Sequence, residues 1–406
     1  MSIGDRIGSS YGGFPGFLDE VCVSNGALEF SPASMTMTAE RLTWIRHEKS
    51  PEVRIAVRNL QNTTLRKATL SLSGNAHGLD AIEVPNLEPG ETHLFTKWFD
   101  TSLRPDDYEL RARLTVPGDP PIASDEVLRL KLVGRPLPHR MPVMMWGIGS
   151  PAEFARELPR MQQLGFNQCL GFGADYDSIW KAGKPLPANS PETIVATNRM
   201  LDEALANDFG IAATLYAGYF LKQRPELARV DRQGKPYARH DCNAALSGLA
   251  EFSENVGASV AQTYGKHPAL VAALVNSEVR DDSEVSFSEF DRERYRAFAG
   301  REVPAEVVTK WGVTWKTIPD FPADRVIPED HPLLQFYRWF WTVGDGWNDL
   351  HTALHRGLKS TGRDDVWTWY DPAIRVPSIG GSGGTVDVLP SPVRCVWVIT
   401  PTKYLR

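Results

Sequence analysis

One apolar stretch in this chain runs directly into an acid. The segment Leu274-Val275-Asn276-Ser277-Glu278-Val279-Arg280-Asp281 reads as a buried strand that ends on a carboxylate. Desolvating an unpaired carboxylate there is costly. Burial also raises its pKa, which a general acid working near neutrality requires. Side chains alternate along a strand, so Asn276 and Glu278 are expected on one face, with amide and carboxyl lining one cavity. The bland alternative is a loop carboxylate paired with Arg280 or another cation.

Other residue types with chemical potential are scattered. His351 and His355 stand at i and i+4, a spacing that presents two imidazoles on one helix face. No third ligand accompanies them, so a solvated helix face is the expectation and no metal is implied. Arg239-His240-Asp241 follows a turn-rich stretch that begins Asp231-Arg232-Gln233-Gly234-Lys235-Pro236. A loop there would rim the end of a strand and offer Arg239 to a ligand. Trp146 and Tyr216 each close an apolar run, and each is either a flat stacking platform or part of a core. Trp369 and Asp371 lie in Asp365-Val366-Trp367-Thr368-Trp369-Tyr370-Asp371-Pro372, a strand pattern ending in a polar loop. Cys22, Cys169, Cys242 and Cys395 are far apart, which suits neither a disulfide scaffold nor a zinc site. Cys169 reads as a small core residue.

These residues need elements to position them. From residue 140 onward, apolar strands alternate with helical patterns. Strands are expected over 141–148, 166–172, 210–216 and 269–275, and helices over 151–164 (Ser150 as cap), 191–207 and 246–264. Continuous apolar strands are buried on both faces, as in a parallel sheet. Repeated β-α units then mean a doubly wound sheet or a (β/α)8 barrel, whose catalytic groups lie at the C-terminal strand ends. No G-x-G-x-x-G follows the first strand, which disfavours a dinucleotide site, and no cofactor is expected. Leu333, Phe336, Phe340, Val343, Trp347, Leu350, Leu354 and Leu358 form the apolar face of one long helix. Gly344 and Gly346 within it point to a kink or to close packing.

Before residue 136 the texture differs. Glu52-Val53-Arg54-Ile55-Ala56-Val57-Arg58 alternates strictly, as do 68–73, 108–114 and 127–132. Turn signals fall between them, at Asn59 to Asn62, at Glu88-Pro89-Gly90-Glu91 and at Pro105-Asp106-Asp107. Short alternating strands at this spacing indicate an immunoglobulin-like sandwich. With 406 residues, two or three domains are the prior. A net charge of −6 argues against nucleic acid or an anionic membrane as partner, and no apolar run reaches the length of a membrane span. The chain holds 12 Trp, most of them beyond residue 300, which would suit a sugar-binding surface as well as a core.

Two stretches resemble known families. Gly12-Gly13-Phe14-Pro15-Gly16-Phe17-Leu18-Asp19-Glu20-Val21 resembles the closing strand of laminin-G/concanavalin-like lectin domains. The alternative is a plain strand pairing with the next domain. The Asn276…Glu278 strand end is similar to the acid/base site of clan A glycoside hydrolases. His267-Pro268, Phe290, Trp311-Gly312, Trp339-Phe340-Trp341 and Gly344-Asp345-Gly346-Trp347-Asn348-Asp349-Leu350 extend a distant resemblance to family 42 β-galactosidases. Those enzymes place asparagine and glutamate side by side, whereas Ser277 intervenes here. The zinc-binding cysteine cluster of some members has no counterpart.

The resemblance implies retaining hydrolysis, with Glu278 as acid/base and a nucleophilic carboxylate closing a seventh strand. Asn276, Trp146, Tyr216, Arg239, Trp369 and Asp371 are the candidates for substrate contact, and an oligo- or polysaccharide is the expected partner. From Arg140 to Arg406 there are six strand candidates at most, so the barrel is expected to be incomplete. The expected organisation is a lectin-like remnant over 1–32, an immunoglobulin-like sandwich over 33–136 and a (β/α)8-type barrel over 137–406. No signal peptide is visible at Met1-Ser2-Ile3-Gly4-Asp5-Arg6. A piece of an extracellular or periplasmic enzyme is nevertheless the expectation. The alternative is a non-catalytic carbohydrate-binding protein or an inactive fragment.

Overall fold

The computed structural model describes residues 31–74, 77–134, 141–215, 217–238, 242–277, 284–310, 328–363, 365–371 and 394–395. The lectin-like stretch lies outside them. The chain divides into two compact units. One holds Met1–Glu40, Ser50–Phe99 and Tyr108–Arg129, and the other Arg41–Lys49, Asp100–Asp107 and Leu130–Arg406.

The described residues from 31 to 134 are all-β. β1 (Ala33–Ala39), β3 (Glu52–Asn59) and β6 (Thr92–Trp98) form an antiparallel three-stranded sheet in the order β1-β3-β6. β2 (Thr43–Ile45), β4 (Thr69–Gly74), β5 (His77–Glu83), β7 (Asp106–Val116) and β8 (Ile122–Val133) form a five-stranded sheet in the order β2-β8-β7-β4-β5. The alternating pattern of β3 is realised directly, with Val53, Ile55 and Val57 fully buried and Arg54 and Arg58 exposed. Two sequence-expected turns have clear causes. Asn59 donates to the Thr63 and Leu87 carbonyls (2.8 and 2.9 Å) and accepts from the Gln61 N–H (2.9 Å). Gly90 adopts φ 77°, which its turn requires and other residues resist.

The second unit carries a parallel six-stranded sheet in the order β14-β13-β12-β11-β10-β9. Its strands are β9 (Met144–Met145), β10 (Gln168–Phe172), β11 (Gly210–Thr214), β12 (Leu270–Ser277), β13 (Trp367–Asp371) and β14 (Arg394–Cys395). The order ascends without reversal, so the sheet is singly wound, and the doubly wound alternative falls away. The first strand is far shorter than expected. Asn167 holds the Val143 N–H (2.9 Å) and the Met141 carbonyl (2.8 Å), so an amide side chain takes the place of ladder partners there.

Helices α1 (Pro151–Gln163), α2 (Tyr176–Ala182), α3 (Pro191–Ala206), α4 (Ala217–Leu221) and α5 (Leu249–Tyr264) accompany the strands. Ser150 and Ser190 cap α1 and α3, each followed by proline at the first helical position. One face of the sheet (Cys169, Ile211, Ala213, Ala273, Val275, Tyr370) packs against helical residues such as Phe154, Leu201, Val256 and Leu354. Burial pushes the Cys169 thiol up to about 12, in keeping with a core role. The opposite face gathers Leu170, Ala212, Ala272, Leu274 and Trp369 into a separate cluster.

Between β12 and β13 lie α6 (Glu289–Ala299), α7 (Pro332–Trp339) and α8 (Trp347–Lys359). The long helix expected from periodicity is thus two helices joined by a π-helical turn, Phe340–Gly344. The glycines explain the break. A Cβ on Gly344 would press on the Trp339 ring, and Gly346 has φ 73° against the backbone of Ala244 and Ala245. This excursion has its own aromatic core of Tyr295, Phe336, Tyr337, Trp339, Phe340 and Trp341. The tryptophan-rich stretch is therefore largely core, and among the described tryptophans only Trp98 and Trp146 are exposed.

Candidate functional site

Parallel strands bring their C-terminal ends to one edge. Trp146 follows β9 directly, and it is 45% exposed. Thr214 ends β11, Ser277 ends β12 and Asp371 ends β13, where it is the register partner of Ser277. In the chain, Tyr216 lies two residues beyond Thr214, and Glu278 one beyond Ser277. Tyr216, Glu278 and Arg239 fall outside the described residues.

Asn276 departs from the expected alternation. The ladder between β12 and β13 shifts between Leu274 and Asn276, two β12 steps against one on β13. Such a bulge exchanges the face that later residues present. Leu274 belongs to the cluster on the open side of the sheet, whereas Val275 belongs to the helix-covered core. Asn276 follows Val275 to the helix side, is 1% exposed, and puts its Nδ2 3.1 Å from Nε2 of His351 on α8. Its Oδ1 accepts the Ser277 N–H at 2.8 Å. Asn276 therefore braces the strand end from behind instead of facing a cavity. Trp369, 1% exposed within its apolar cluster, is likewise core and offers no stacking face.

The helix face carrying the two histidines is not solvated. The His351 ring is buried and lies nearly parallel to Tyr370 (centroids 4.7 Å apart) and Trp347 (6.2 Å). His355 Nδ1 is 2.8 Å from the Thr368 hydroxyl, and burial, aided by Lys359, pushes its pKa down. The two rings engage different partners on the sheet. Among the described residues no group of three or more His, Cys, Asp or Glu is arranged to hold a metal ion. No helix among them is long and apolar enough to cross a membrane.

Three further residues at this edge carried no signal in the sequence. Asp175, after β10, caps α2. The Ser178 hydroxyl and N–H hold its carboxyl below the usual range. The Tyr176 hydroxyl donates to the Thr214 carbonyl at 3.3 Å, which ties the β10 and β11 ends together. Arg229 is 1% exposed and donates to the carbonyls of Cys242 (3.1 Å), Glu284 (2.9 Å) and Asp345 (2.5 Å). One guanidinium thus joins the loop after β11, the segment after residue 283 and the turn before α8. Only its position between two turn-rich stretches could have hinted at this.

No protein-family model matches the chain, and no curated protein matches it. Solved structures do. A CARDB domain from Pyrococcus furiosus covers 27% of this chain and all of its own length, at 16% identity and TM-score 0.23. A β-glucuronidase from Bacteroides uniformis covers 83% of this chain at 11% identity and TM-score 0.27. A GH2 β-galacturonidase from Eisenbergiella tayi bound to galacturonate covers 67% at 13% identity and TM-score 0.28. This chain spans 33% and 45% of the length of those two enzymes.

Proposed function

We propose that this chain is part of a carbohydrate-active protein that hydrolyses a β-linked glycan with retention, using Glu278 as general acid/base. The observation that carries the reading is the singly wound parallel sheet, in which β12 ends on Ser277 immediately before Glu278, beside β13 and Asp371. The Glu278 carboxyl donates its proton to the glycosidic oxygen as a second carboxylate attacks the anomeric carbon, and the alcohol departs. The Glu278 carboxylate then takes a proton from water, whose oxygen displaces the enzyme carboxylate and releases the sugar. That second carboxylate belongs, by the resemblance, at the end of a seventh strand. Trp146, Tyr216, Arg239 and Asp371 contact the glycan, with Asn276 and Trp369 supporting the rim from within.

The test is Glu278→Gln in the complete protein, assayed on 4-nitrophenyl β-galactoside, glucoside, glucuronide and xyloside. Loss of an acid/base lowers turnover by about 100-fold or more. Unchanged turnover on every hydrolysed glycoside removes Glu278 from the mechanism. The exposed indole of Trp146 favours a second reading, a sugar-binding protein without hydrolysis. Glycan-array binding with no release of reducing sugar selects it.

A further inference from the structure

We infer that His351 is a positioning residue that sets, through Asn276, the register in which β12 delivers its C-terminal end; its catalytic consequence rests on the function proposed for Glu278. The argument begins with hydrogen-bond direction. Asn276 Oδ1 is occupied by the Ser277 N–H at 2.8 Å, so the amide nitrogen is the group that faces His351. An amide nitrogen only donates. At 3.1 Å, His351 Nε2 is therefore the acceptor, and the ring proton resides on Nδ1. The ring is held in this arrangement, because Tyr370 and Trp347 stack on it with centroids 4.7 and 6.2 Å away and the residue is 3% exposed.

The second step concerns the ladder. Beyond the bulge, Asn276 pairs with Tyr370 and Ser277 with Asp371. The same Tyr370 that pairs with Asn276 also stacks on His351, so helix, bulge and neighbouring strand meet at one point. A one-residue slip of β12 moves every later side chain to the other face of the sheet. The Asn276–His351 bond opposes that slip, because only Asn276 in its present register brings an amide to the imidazole. Leucine at 351 would fill a similar volume without an acceptor, and glutamine would restore one through Oε1.

The experiment compares His351→Leu and His351→Gln in the complete protein. On the glycoside hydrolysed best, His351→Leu is expected to lower kcat about 10- to 100-fold with KM within about twofold, since small displacements of a catalytic group have effects of that size. His351→Gln is expected to recover most of the loss. Equal kcat values for the two variants overturn the proposal. In parallel, 15N NMR of the histidine rings is expected to show His351 with Nδ1 protonated and Nε2 accepting, and the Nε2-protonated form overturns the proposal. Glu278→Gln separates the two ideas. If that variant retains full activity, the acid/base assignment falls, and the His351 tautomer together with the exchange rate of the Ser277 amide decides the brace alone. Should His351→Leu fail to fold, the tautomer and the activity of His351→Gln carry the test.

Discussion

His267 and Asp202 face each other across 3.3 Å inside the α/β unit, and the contact fixes both groups. Asp202, on α3, also accepts the N–H groups of Leu42 (3.0 Å) and Thr43 (2.9 Å), which anchors the segment that carries β2. His267 Nδ1 accepts the Ala269 N–H at 3.2 Å, so the ring proton is on Nε2, directed at the carboxylate. Protonating Nδ1 would set two N–H groups against each other.

Acid should therefore weaken this unit. Burial lowers the His267 pKa, opposed by Asp202 and Glu48 and reinforced by Arg41, while Arg363 holds only the His267 carbonyl. Because the folded value lies below the unfolded one, the unfolded chain binds the extra proton first. Stability is then complete above about pH 6.5 and declines as pH falls toward the folded value. Urea midpoints measured from pH 8 to 5 should show the decline. It should be shallower in His267→Gln, with a remainder from His355, whose pKa is also lowered. An identical slope in both proteins would exclude His267 as a source.

The carboxylate itself should matter more than the imidazole. Asp202→Asn keeps the volume but turns an NH2 toward one of the two backbone N–H groups. The expected loss is about 2–4 kcal/mol, the range for breaking a buried charged hydrogen-bond set. It should appear as a lower urea midpoint at unchanged m.

Two tryptophans assigned the same role by sequence should separate. Trp146→Ala should leave stability within about 0.5 kcal/mol while weakening binding of a β-galacto-oligosaccharide about tenfold, about 1.4 kcal/mol. Trp369→Ala should cost about 3–5 kcal/mol of stability. Calorimetry of binding and of unfolding on both variants distinguishes a platform from a core ring.

Glycines set the approach of α5 to α8. A Cβ on Gly257 would fall inside contact distance of the Leu354 carbonyl, and one on Gly357 would meet the Glu254 carbonyl. Gly257→Ala should destabilise the protein by about 1–3 kcal/mol despite alanine's higher helix propensity, because backbone cannot yield as a side chain does. A rise in melting temperature would refute the packing argument.

Local pattern and long-range pairing were unequally legible. Strict alternation located β3 to within a residue, and Ser150 with Pro151 located the start of α1, because both signals depend on near neighbours. The bulge at Val275 was invisible, since nothing in Leu-Val-Asn-Ser distinguishes a shifted ladder from a regular one. His351 was expected on a wet face because polarity was read as exposure, whereas the amide that donates to it lies on a strand 75 residues earlier. The anchoring of Thr43 by Asp202 spans 159 residues and leaves no local trace. The candidate acid was visible for the opposite reason: an acid directly after an apolar run stands out by itself.

The ascending strand order has a consequence for how the protein is made. From β9 to β12 every strand pairs with the one preceding it, so each can dock as it leaves the ribosome, without waiting for distant chain. The step from β12 to β13 is different, because the whole aromatic excursion intervenes. Loop-closure entropy rises only by about 0.6 kcal/mol per doubling of length, so distance alone is a small obstacle. The larger condition is that the excursion's Tyr, Phe and Trp side chains find one another first. An excursion that collapses on itself brings its two ends home together; one that does not leaves β12 with an unpaired edge on the nascent chain.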